Sequence, residues 1–347
     1  MTAELLEVSD LTKYFPAPKG MAFWRPTGQI KAVDGVRFCI EEGTTFGLVG
    51  ESGCGKTTIA KMILLLEKPT RGTIRFAGGD ISQLGNGLKG YRRAVQAVFQ
   101  DPYSSLNPRM KVGNLLSEPI IVHRVLSPEA AKRRVVELLR VVGLNPQSAK
   151  LYPHEFSGGQ RQRIAIARAL AVGPRFVVLD EPVSALDVSI RAQILNLLSD
   201  IQREFNLTYL LIAHDLAVVE HISKTIGVMY LGKLVEICPS GELSRNPMHP
   251  YTKALIAAVP VPDPDVAGEV IVTGEVPSPL NPPPGCHFHP RCPFAMSECR
   301  RDEPVLRQVE DQHWVACHLM EGERAGDDGA SPAKPLHTRQ KANAGCG

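Results

Sequence analysis

Short apolar runs and amphipathic stretches alternate along the chain from about residue 30 to residue 239. Three of the runs, at residues 45–49, 175–179 and 208–213, are apolar at almost every position. Strands with this pattern are buried on both faces, as in a parallel sheet that is covered by helices. The pattern therefore predicts an α/β fold built on a parallel sheet.

Helical spacing appears between the strands. Apolar residues recur at intervals of three and four from Ile190 to Phe205, which predicts an amphipathic helix before the third strand. A second helix is predicted to begin at Ser127 and Pro128 and to end at Gly143, because these residues are start and stop signals. Few strand signals surround it. We therefore expect a helical insert at about residues 100–165, inside a first domain of residues 1–240.

The amino-acid composition of the chain changes after residue 240. Prolines and glycines become frequent, first in a connector near residues 259–264 and again at 277–285. This composition predicts a small, loop-rich C-terminal module at residues 241–322. Residues 323–347 carry no hydrophobic pattern and are predicted to form a disordered tail.

Composition excludes several classes of protein. Of the 347 residues, 44% are hydrophobic and 22% are charged, which is typical of a globular protein and not of a disordered, collagenous or integral-membrane chain. The net charge is only +3 and no long basic block occurs, which disfavours a protein that coats nucleic acid. No apolar run approaches the ~18–20 residues that span a bilayer, and the N-terminus lacks a secretory signal pattern. We expect a cytoplasmic protein, or one that meets a membrane only through a partner.

A glycine-rich loop joins the first strand to a helix that begins near Lys56. Backbone N–H groups in such a loop can curl around a phosphate, and the helix N-terminus adds a positive dipole. In this pattern Lys56 reaches the β- and γ-phosphates and the Thr57 hydroxyl is a ligand for Mg²⁺. The alternative is a chance glycine-rich turn, which the complete pattern between strand and helix disfavours. The candidate nucleotide-binding residues are Gly50, Glu51, Ser52, Gly53, Cys54, Gly55, Lys56, Thr57 and Thr58.

Two carboxylates and a histidine follow the other strands. Asp180 and Glu181 end the second strand, and His214 follows the third, so all three are expected at the ligand-binding edge of the sheet. Asp180 is the candidate ligand for Mg²⁺, and Glu181 is the candidate general base that activates water. His214 could contact the γ-phosphate. Alone, the acidic pair could face solvent and the histidine could be a structural hydrogen-bonding residue.

A second candidate anion site precedes a helix predicted at residues 161–170. The sequence at 156–160 is Phe-Ser-Gly-Gly-Gln, in which Ser157 supplies a hydroxyl and two glycines expose N–H groups at a positive helix end. By itself this peptide would be merely a turn.

Together, these motifs resemble the nucleotide-binding subunit of ABC transporters over residues 5–320. The phosphate loop, Gln100, the 156–160 signature, Asp180 with Glu181, and His214 occur in that family's order. The resemblance implies a P-loop NTPase fold with a helical subdomain that hydrolyses ATP with Mg²⁺. It also implies that Gln100 joins Thr57 and Asp180 at the Mg²⁺, and that adenine stacks on Phe15, with Tyr14 as the alternative. Two domains would close head-to-tail, so that the partner's ATP meets Ser157, Gly158, Gly159 and Gln160 while Asp187 faces the interface.

Residues 246–255 and 102–108 narrow the resemblance to oligopeptide/dipeptide importers, and to their F-type ATPase subunit. The implied partners are a second ATP-binding subunit, two permease subunits and an extracytoplasmic peptide-binding protein. The resemblance also implies that the protein is bound peripherally at the cytoplasmic face of the membrane. We expect Tyr103, Leu106 and Met110 to dock on the permease.

Three further functions compete with peptide import. Nickel and glutathione importers share much of the same sequence pattern. A soluble ABC-type ATPase could act on nucleic acid or the ribosome, although the single phosphate loop and the low net charge disfavour it. A regulatory protein with a dead site is disfavoured by the presence of Lys56, Asp180, Glu181 and His214.

Half of the eight cysteines lie close together in the C-terminal module. Cys286, Cys292, Cys299 and Cys317 are separated by five, six and seventeen residues, so the CxxC spacing of common zinc sites is absent. Four thiolates in a loop-rich module suit a [4Fe–4S] cluster, and the similar importers imply the same cofactor. The alternatives are free thiols, or Zn²⁺ with one histidine in place of a cysteine, from His287, His289, His313 and His318. We expect a structural role, because the segment lies outside every ATP motif.

Overall fold

The computed structural model describes residues 4–17, 28–101, 105–258 and 274–322. The tail predicted at 323–347 and the proline-rich connector near 259–264 lie outside these residues. Within the described part of the chain, no helix is both long enough and apolar enough to cross a membrane.

The main sheet has eight strands, and its centre is parallel as the apolar runs predict. Strand order is β11-β12-β10-β9-β3-β8-β7-β6. Strands β9, β3, β8, β7 and β6 pair in parallel, whereas β10, β12 and β11 are antiparallel additions at one edge. The bounds are β3 Thr45–Val49, β6 Val95–Val98, β7 Phe176–Asp180, β8 Thr208–Ile212, β9 Thr225–Tyr230, β10 Lys233–Pro239, β11 Arg307–Glu310 and β12 His313–Val315.

A second, antiparallel sheet covers one face of the main sheet, and no local pattern in the sequence predicts it. Its order is β2-β1-β4-β5, with β1 Glu4–Pro16, β2 Gln29–Glu41, β4 Arg71–Phe76 and β5 Gly79–Asp80. Alternate residues of β8 point to opposite faces: Leu210 and Ile212 pack toward this second sheet, whereas Tyr209 and Leu211 pack toward the helices. The main sheet is therefore buried on both sides.

The helices confirm the periodicity of the sequence with small shifts at their ends. The helix predicted at 190–205 is α6, and the one predicted at 127–143 is α4, whose first turn is capped by the Ser127 hydroxyl accepting from the Ala130 N–H. The bounds are α1 Lys56–Ile63, α2 Leu88–Ala94, α3 Val112–Val122, α4 Pro128–Val141, α5 Gly158–Leu170, α6 Val188–Phe205, α7 Leu216–Ile222, α8 Ser240–Leu243, α9 Pro250–Ala257 and α10 Leu319–Gly322.

The C-terminal residues continue the main sheet. Strand β12 pairs with β10 through Glu236 opposite Val315, and β11 pairs with β12. The buried Glu236 carboxylate accepts hydrogen bonds from the backbone N–H groups of Met248 and His249 and contacts His313 Nε2 at 2.7 Å. These bonds outweigh burial and lower the pKa of Glu236. The loop-rich module is thus fastened to the sheet edge by a buried charge.

His249 fastens helix α9 to this edge and makes the fold sensitive to acid. Its Nδ1 accepts the Tyr251 N–H at 3.0 Å, and burial lowers the pKa of His249 from 6.5 to about 4. Because the unfolded chain binds this proton more readily, the contribution of neutral His249 is complete above about pH 6.5 and is lost toward pH 4, amounting to about 3 kcal/mol.

We expect a His249→Asn variant to keep the helix cap, since asparagine also caps helices, but to lose this part of the pH dependence. The measurement is the free energy of unfolding of both proteins between pH 7 and pH 4.5. Glu236 is present in both proteins and cancels in the comparison. An equally steep loss of stability in the variant would contradict the role given to His249.

Candidate active site

The glycine-rich loop lies between β3 and α1, as the sequence predicts. Gly55 has φ of 112°, and a Cβ there would come within 2.1 Å of the Ala32 carbonyl oxygen, so only glycine fits. Lys56 is 6% exposed, and its Nζ donates to the carbonyls of Gly50 at 2.7 Å and Glu51 at 3.0 Å. The loop thus encloses the buried ammonium group of Lys56.

Strand β7 delivers an acid to the start of helix α1. Asp180 Oδ1 accepts a hydrogen bond from the Thr57 hydroxyl at 3.4 Å. Burial, and then the neighbouring carboxylate of Glu181, raise the pKa of Asp180. A carboxylate and a hydroxyl are the oxygen ligands that Mg²⁺ prefers, and a divalent cation would offset the cost of burying this charge. These two residues therefore fit the magnesium site predicted for them.

Glu181 and His214 meet at the carboxyl edge of the sheet. Glu181 Oε2 lies 3.4 Å from His214 Nδ1, and His214 is 59% exposed just after β8. The backbone of Glu181 has φ of 50°, which is uncommon for a residue with a side chain, and its N–H donates to Ile212 O at 2.9 Å. Strain of this kind costs on the order of 1–3 kcal/mol and concentrates at functional sites. Here it occurs at the residue whose carboxylate contacts His214.

The signature residues form the first turn of α5, three residues earlier than the helix start predicted at 161. The Ser157 hydroxyl accepts the Gln160 N–H, while Gln160 Oε1 accepts the Ser157 N–H at 3.0 Å, which completes a capping box. A Cβ on Gly159 would lie 2.5 Å from Ile190 Cγ2 of α6, so the close approach of the two helices requires glycine. Ser157 and Asp187 are both exposed. The signature therefore presents a helix N-terminus on the surface.

The two candidate adenine platforms are in different surroundings. The Tyr14 hydroxyl donates to Asp34 Oδ1 at 2.6 Å, and burial together with this bond raises the pKa of Tyr14 to about 12. Phe15, on the opposite face of β1, is partly exposed, with Lys13 Nζ 4.7 Å from its ring centre. Phe15 stays the first candidate for stacking and Tyr14 the alternative, since both rings are half-buried. Gln100 is exposed two residues past β6, which neighbours β7.

The docking residues predicted after Gln100 need correction. Leu106 is 2% exposed and lies in the core, so its side chain is not presented to a partner, whereas Met110 is half-buried against that core and stays a candidate. Their apolar character serves the packing of the helical insert. Tyr103 lies outside the described residues. A groove of about 450 Å³ opens beside them instead, and its lining includes Phe99, Leu106, Pro119, His123 and Ala169.

The four clustered cysteines line one small pocket of the C-terminal module. The Cys286 N–H donates to the Cys299 carbonyl at 2.9 Å, and burial raises the pKa of Cys286 to about 11 and of Cys317 to about 12. Two of the candidate zinc ligands, His289 and His318, line the same pocket. The remaining two are engaged elsewhere, His287 with the Leu231 carbonyl and His313 with Glu236.

The sulfur atoms of these cysteines do not converge as tightly as zinc ligands do. Among the residues that the structure describes, the group whose ligand atoms all lie within 4.8 Å of one another is Glu236, Cys238 and His313. That carboxylate is already saturated by hydrogen bonds.

Two contacts to the phosphate loop cannot be read from the sequence. The Glu51 N–H donates to the Tyr251 hydroxyl at 2.9 Å, and the Glu51 carboxylate pairs with Arg291 at 3.0 Å. Both partners lie in the C-terminal extension, more than 190 residues away in sequence. The segment around Tyr251 stands out in the sequence only as a family marker, and no local signal in it points to the loop.

Comparison with known families finds two matching regions. Residues 33–184 match the ABC transporter family, and residues 235–299 match the family described as the oligopeptide/dipeptide transporter, C-terminal region. The second match contains Tyr251 and Arg291.

Relatives with these features align along most of the chain. The oligopeptide transport ATP-binding protein AppF of Bacillus subtilis is 52% identical over 91% of this chain and 97% of its own. The dipeptide transport ATP-binding protein DppF of Escherichia coli is 47% identical over 91% and 95%. Among solved structures, a dimeric post-hydrolysis state of the ATP-binding cassette MJ0796 with ADP and Pi matches 68% of this chain and 99% of its own at 28% identity, with a TM-score of 0.60. The protein cbiO1 of Clostridium perfringens has a TM-score of 0.61 at 26% identity over 70% and 91%.

Proposed function

The chain belongs to the family of ABC transporter ATP-binding subunits that carry the oligopeptide/dipeptide C-terminal region, and we propose that it hydrolyses ATP to drive the import of short peptides. The observation that carries this proposal is the meeting of the phosphate loop with Asp180, Glu181 and His214 at one sheet edge. The C-terminal match favours peptides over nickel, glutathione or nucleic acid as the cargo.

Each residue of the site has a distinct task in hydrolysis. Lys56 supplies positive charge to the β- and γ-phosphates. Thr57 and Asp180, with Gln100, would hold Mg²⁺, which neutralises phosphate charge when bound. Glu181 accepts a proton from the attacking water, and His214, in contact with Glu181, orients toward the γ-phosphate. A complete set of these groups argues against a regulatory protein with a dead site.

We propose that the chain works beside a second ATP-binding subunit. Ser157 is exposed at a helix N-terminus whose first turn contains Gly158 and Gly159, an arrangement suited to the phosphates of an ATP held by another subunit. Gln160 fixes the cap, and Asp187 lies exposed nearby at the start of α6. A subunit of related sequence, facing this one head-to-tail, would complete both sites.

The membrane contact is proposed to run through permease subunits at the cytoplasmic face. The groove beside Phe99 lies between the sheet and the helical insert, where an apolar helix end could seat. Phe99 is partly exposed there, so it replaces Leu106 as the proposed docking residue. Two permeases and an extracytoplasmic peptide-binding protein complete the proposed importer.

The C-terminal module is proposed to hold a [4Fe–4S] cluster through Cys286, Cys292, Cys299 and Cys317. Support comes from the four thiols, which line one pocket of this module. Zn²⁺ bound by three of these cysteines and His289 or His318 is the alternative. The cluster would tie together loops that have little hydrophobic core of their own.

Peptide uptake in whole cells tests the proposed function. In a strain without a redundant importer, deletion of this gene is expected to abolish uptake of a labelled tripeptide, and the wild-type gene should restore it. A Phe99→Glu variant should fail to restore uptake, because a charge in the groove opposes docking. A Leu66→Glu variant, which places the same charge at an exposed leucine elsewhere, should restore it. Undiminished uptake in the deletion strain would refute the proposed cargo.

A further inference from the structure

Helix α9 anchors the beginning of the phosphate loop. Tyr251 is almost fully buried, and its hydroxyl accepts the Glu51 N–H at 2.9 Å. Its ring packs 4.6 Å from Tyr230 and 5.4 Å from Phe288, measured between ring centres. Because three large rings fix one another, the hydroxyl is held in place by packing. The loop backbone is therefore hydrogen-bonded to a rigid support outside the nucleotide-binding motifs.

Arg291 forms an ion pair with the side chain of Glu51. It lies in the C-terminal module at residues 241–322, called the cysteine module below because it contains the four clustered cysteines. Its Nη1 and Nη2 donate to the two carboxylate oxygens of Glu51 at 3.0 and 3.1 Å. The guanidinium is 10% exposed and lies over the rings of Tyr230 and Phe288, about 6 Å from each ring centre. A bidentate pair that is shielded in this way is stronger and more directional than a surface ion pair.

Glu51 then connects these contacts to the catalytic lysine. Its N–H is held by Tyr251 and its carboxylate by Arg291, while its carbonyl accepts a hydrogen bond from Lys56 Nζ at 3.0 Å. Arg291 directly precedes Cys292 in the turn His289–Arg291. The cysteine module thus contacts the ATP site at Glu51, although the sequence suggests that it lies apart from every ATP motif.

We infer that Arg291 is a positioning residue for ATP binding: through Glu51 it holds the phosphate loop, and with it Lys56, in the form that receives phosphate. This inference rests on the ATPase function proposed above. Arg291 has a second effect, because it neutralises a carboxylate at the mouth of an anion site. Without the guanidinium, the charge of Glu51 would repel the phosphates of the nucleotide.

The test compares single and double variants in the assembled transporter. Arg291→Met should raise the KM for ATP about 10-fold, as expected for loss of a shielded charged hydrogen bond, with kcat changed less than about twofold. Glu51→Gln should raise the KM about threefold, because the clamp is weaker but the charge left unpaired is a guanidinium, which attracts phosphates instead of repelling them. The double variant should resemble Glu51→Gln, so removing the carboxylate recovers part of the affinity. Arg300→Met, an exposed arginine of the same module, is the matched control.

The recovery separates positioning from misfolding. If Arg291→Met acted by unfolding the cysteine module, Glu51→Gln could not repair it, and a double variant as poor as Arg291→Met would overturn the inference. An unchanged KM in Arg291→Met would overturn it as well. Equilibrium binding of a non-hydrolysable ATP analogue to each complex measures the same ranking without turnover. A wild-type complex that binds ATP without hydrolysing it would refute the proposed ATPase function, while the binding series would still decide the role of Arg291.

Discussion

Replacing Glu181 with glutamine is expected to lower ATP turnover by the assembled transporter at least about 100-fold, the effect expected for loss of a general base. Glutamine keeps the size and hydrogen bonding of the side chain but cannot accept the proton of the attacking water. Thr57 and Asp180 are untouched, so Mg²⁺ and ATP should still bind. The variant should therefore accumulate the ATP-bound complex.

The measurement pairs steady-state phosphate release with equilibrium binding of ATP. Glu204→Gln is the matched control, because Glu204 is exposed on α6 and should tolerate the same change without loss of turnover. Normal turnover by Glu181→Gln would move the role of general base to another residue. Loss of ATP binding would instead mean that the left-handed backbone at Glu181 had collapsed.

The central sheet could be predicted because its strands carry their own signal. Strands β3, β7 and β8 are buried on both faces, so each is apolar along its length, and a chemical group after each strand must lie at one edge. That rule brings Lys56, Asp180, Glu181 and His214 together from sequence alone. Because parallel strands end at the same edge of a sheet, local patterns are enough to predict which residues meet there.

The antiparallel sheet and the start of α5 illustrate two different kinds of miss. Strand β1 is partly buried in an irregular alternation, broken by register shifts, so period-two alternation is weak there. The start of α5, by contrast, is present in the sequence: Ser157 and Gln160 form a capping box three residues apart. Interpreting that pair as a cap moves the helix start to Gly158.

Long-range contacts could not be predicted from local patterns. Glu51 and Arg291 are 240 residues apart, and they meet because the extension adds β12 and β11 to the edge next to β10. A single chain offers no periodicity that pairs two such positions. The burial of Leu106 could not be predicted either, because an apolar residue in a loop-like segment can face either the core or a partner.

If the proposed [4Fe–4S] cluster is present, anaerobically purified protein should be brown and contain iron and acid-labile sulfide, and replacing Cys292 and Cys299 together with serine is expected to remove all three. Serine cannot supply the two thiolates, and the remaining two cysteines cannot hold a cluster alone. In a module with little hydrophobic core, the free energy of metal binding contributes directly to the free energy of folding. We therefore expect the melting temperature to fall by at least about 5 °C. Arg291 lies in the turn directly before Cys292, so the affinity for ATP should weaken as the module loosens.

Cys39→Ser is the matched control, because Cys39 is a half-buried cysteine of β2 that lies outside the pocket. It should leave colour, iron, sulfide and melting temperature unchanged. Colourless wild-type protein with one zinc per chain would decide for the zinc alternative, and a double variant that stays brown would exclude these cysteines as the ligands. A cluster that stabilises the fold of the module makes a further prediction: the iron content and the melting temperature should fall together. The KM for ATP should then rise, while kcat per intact complex stays close to that of the wild type.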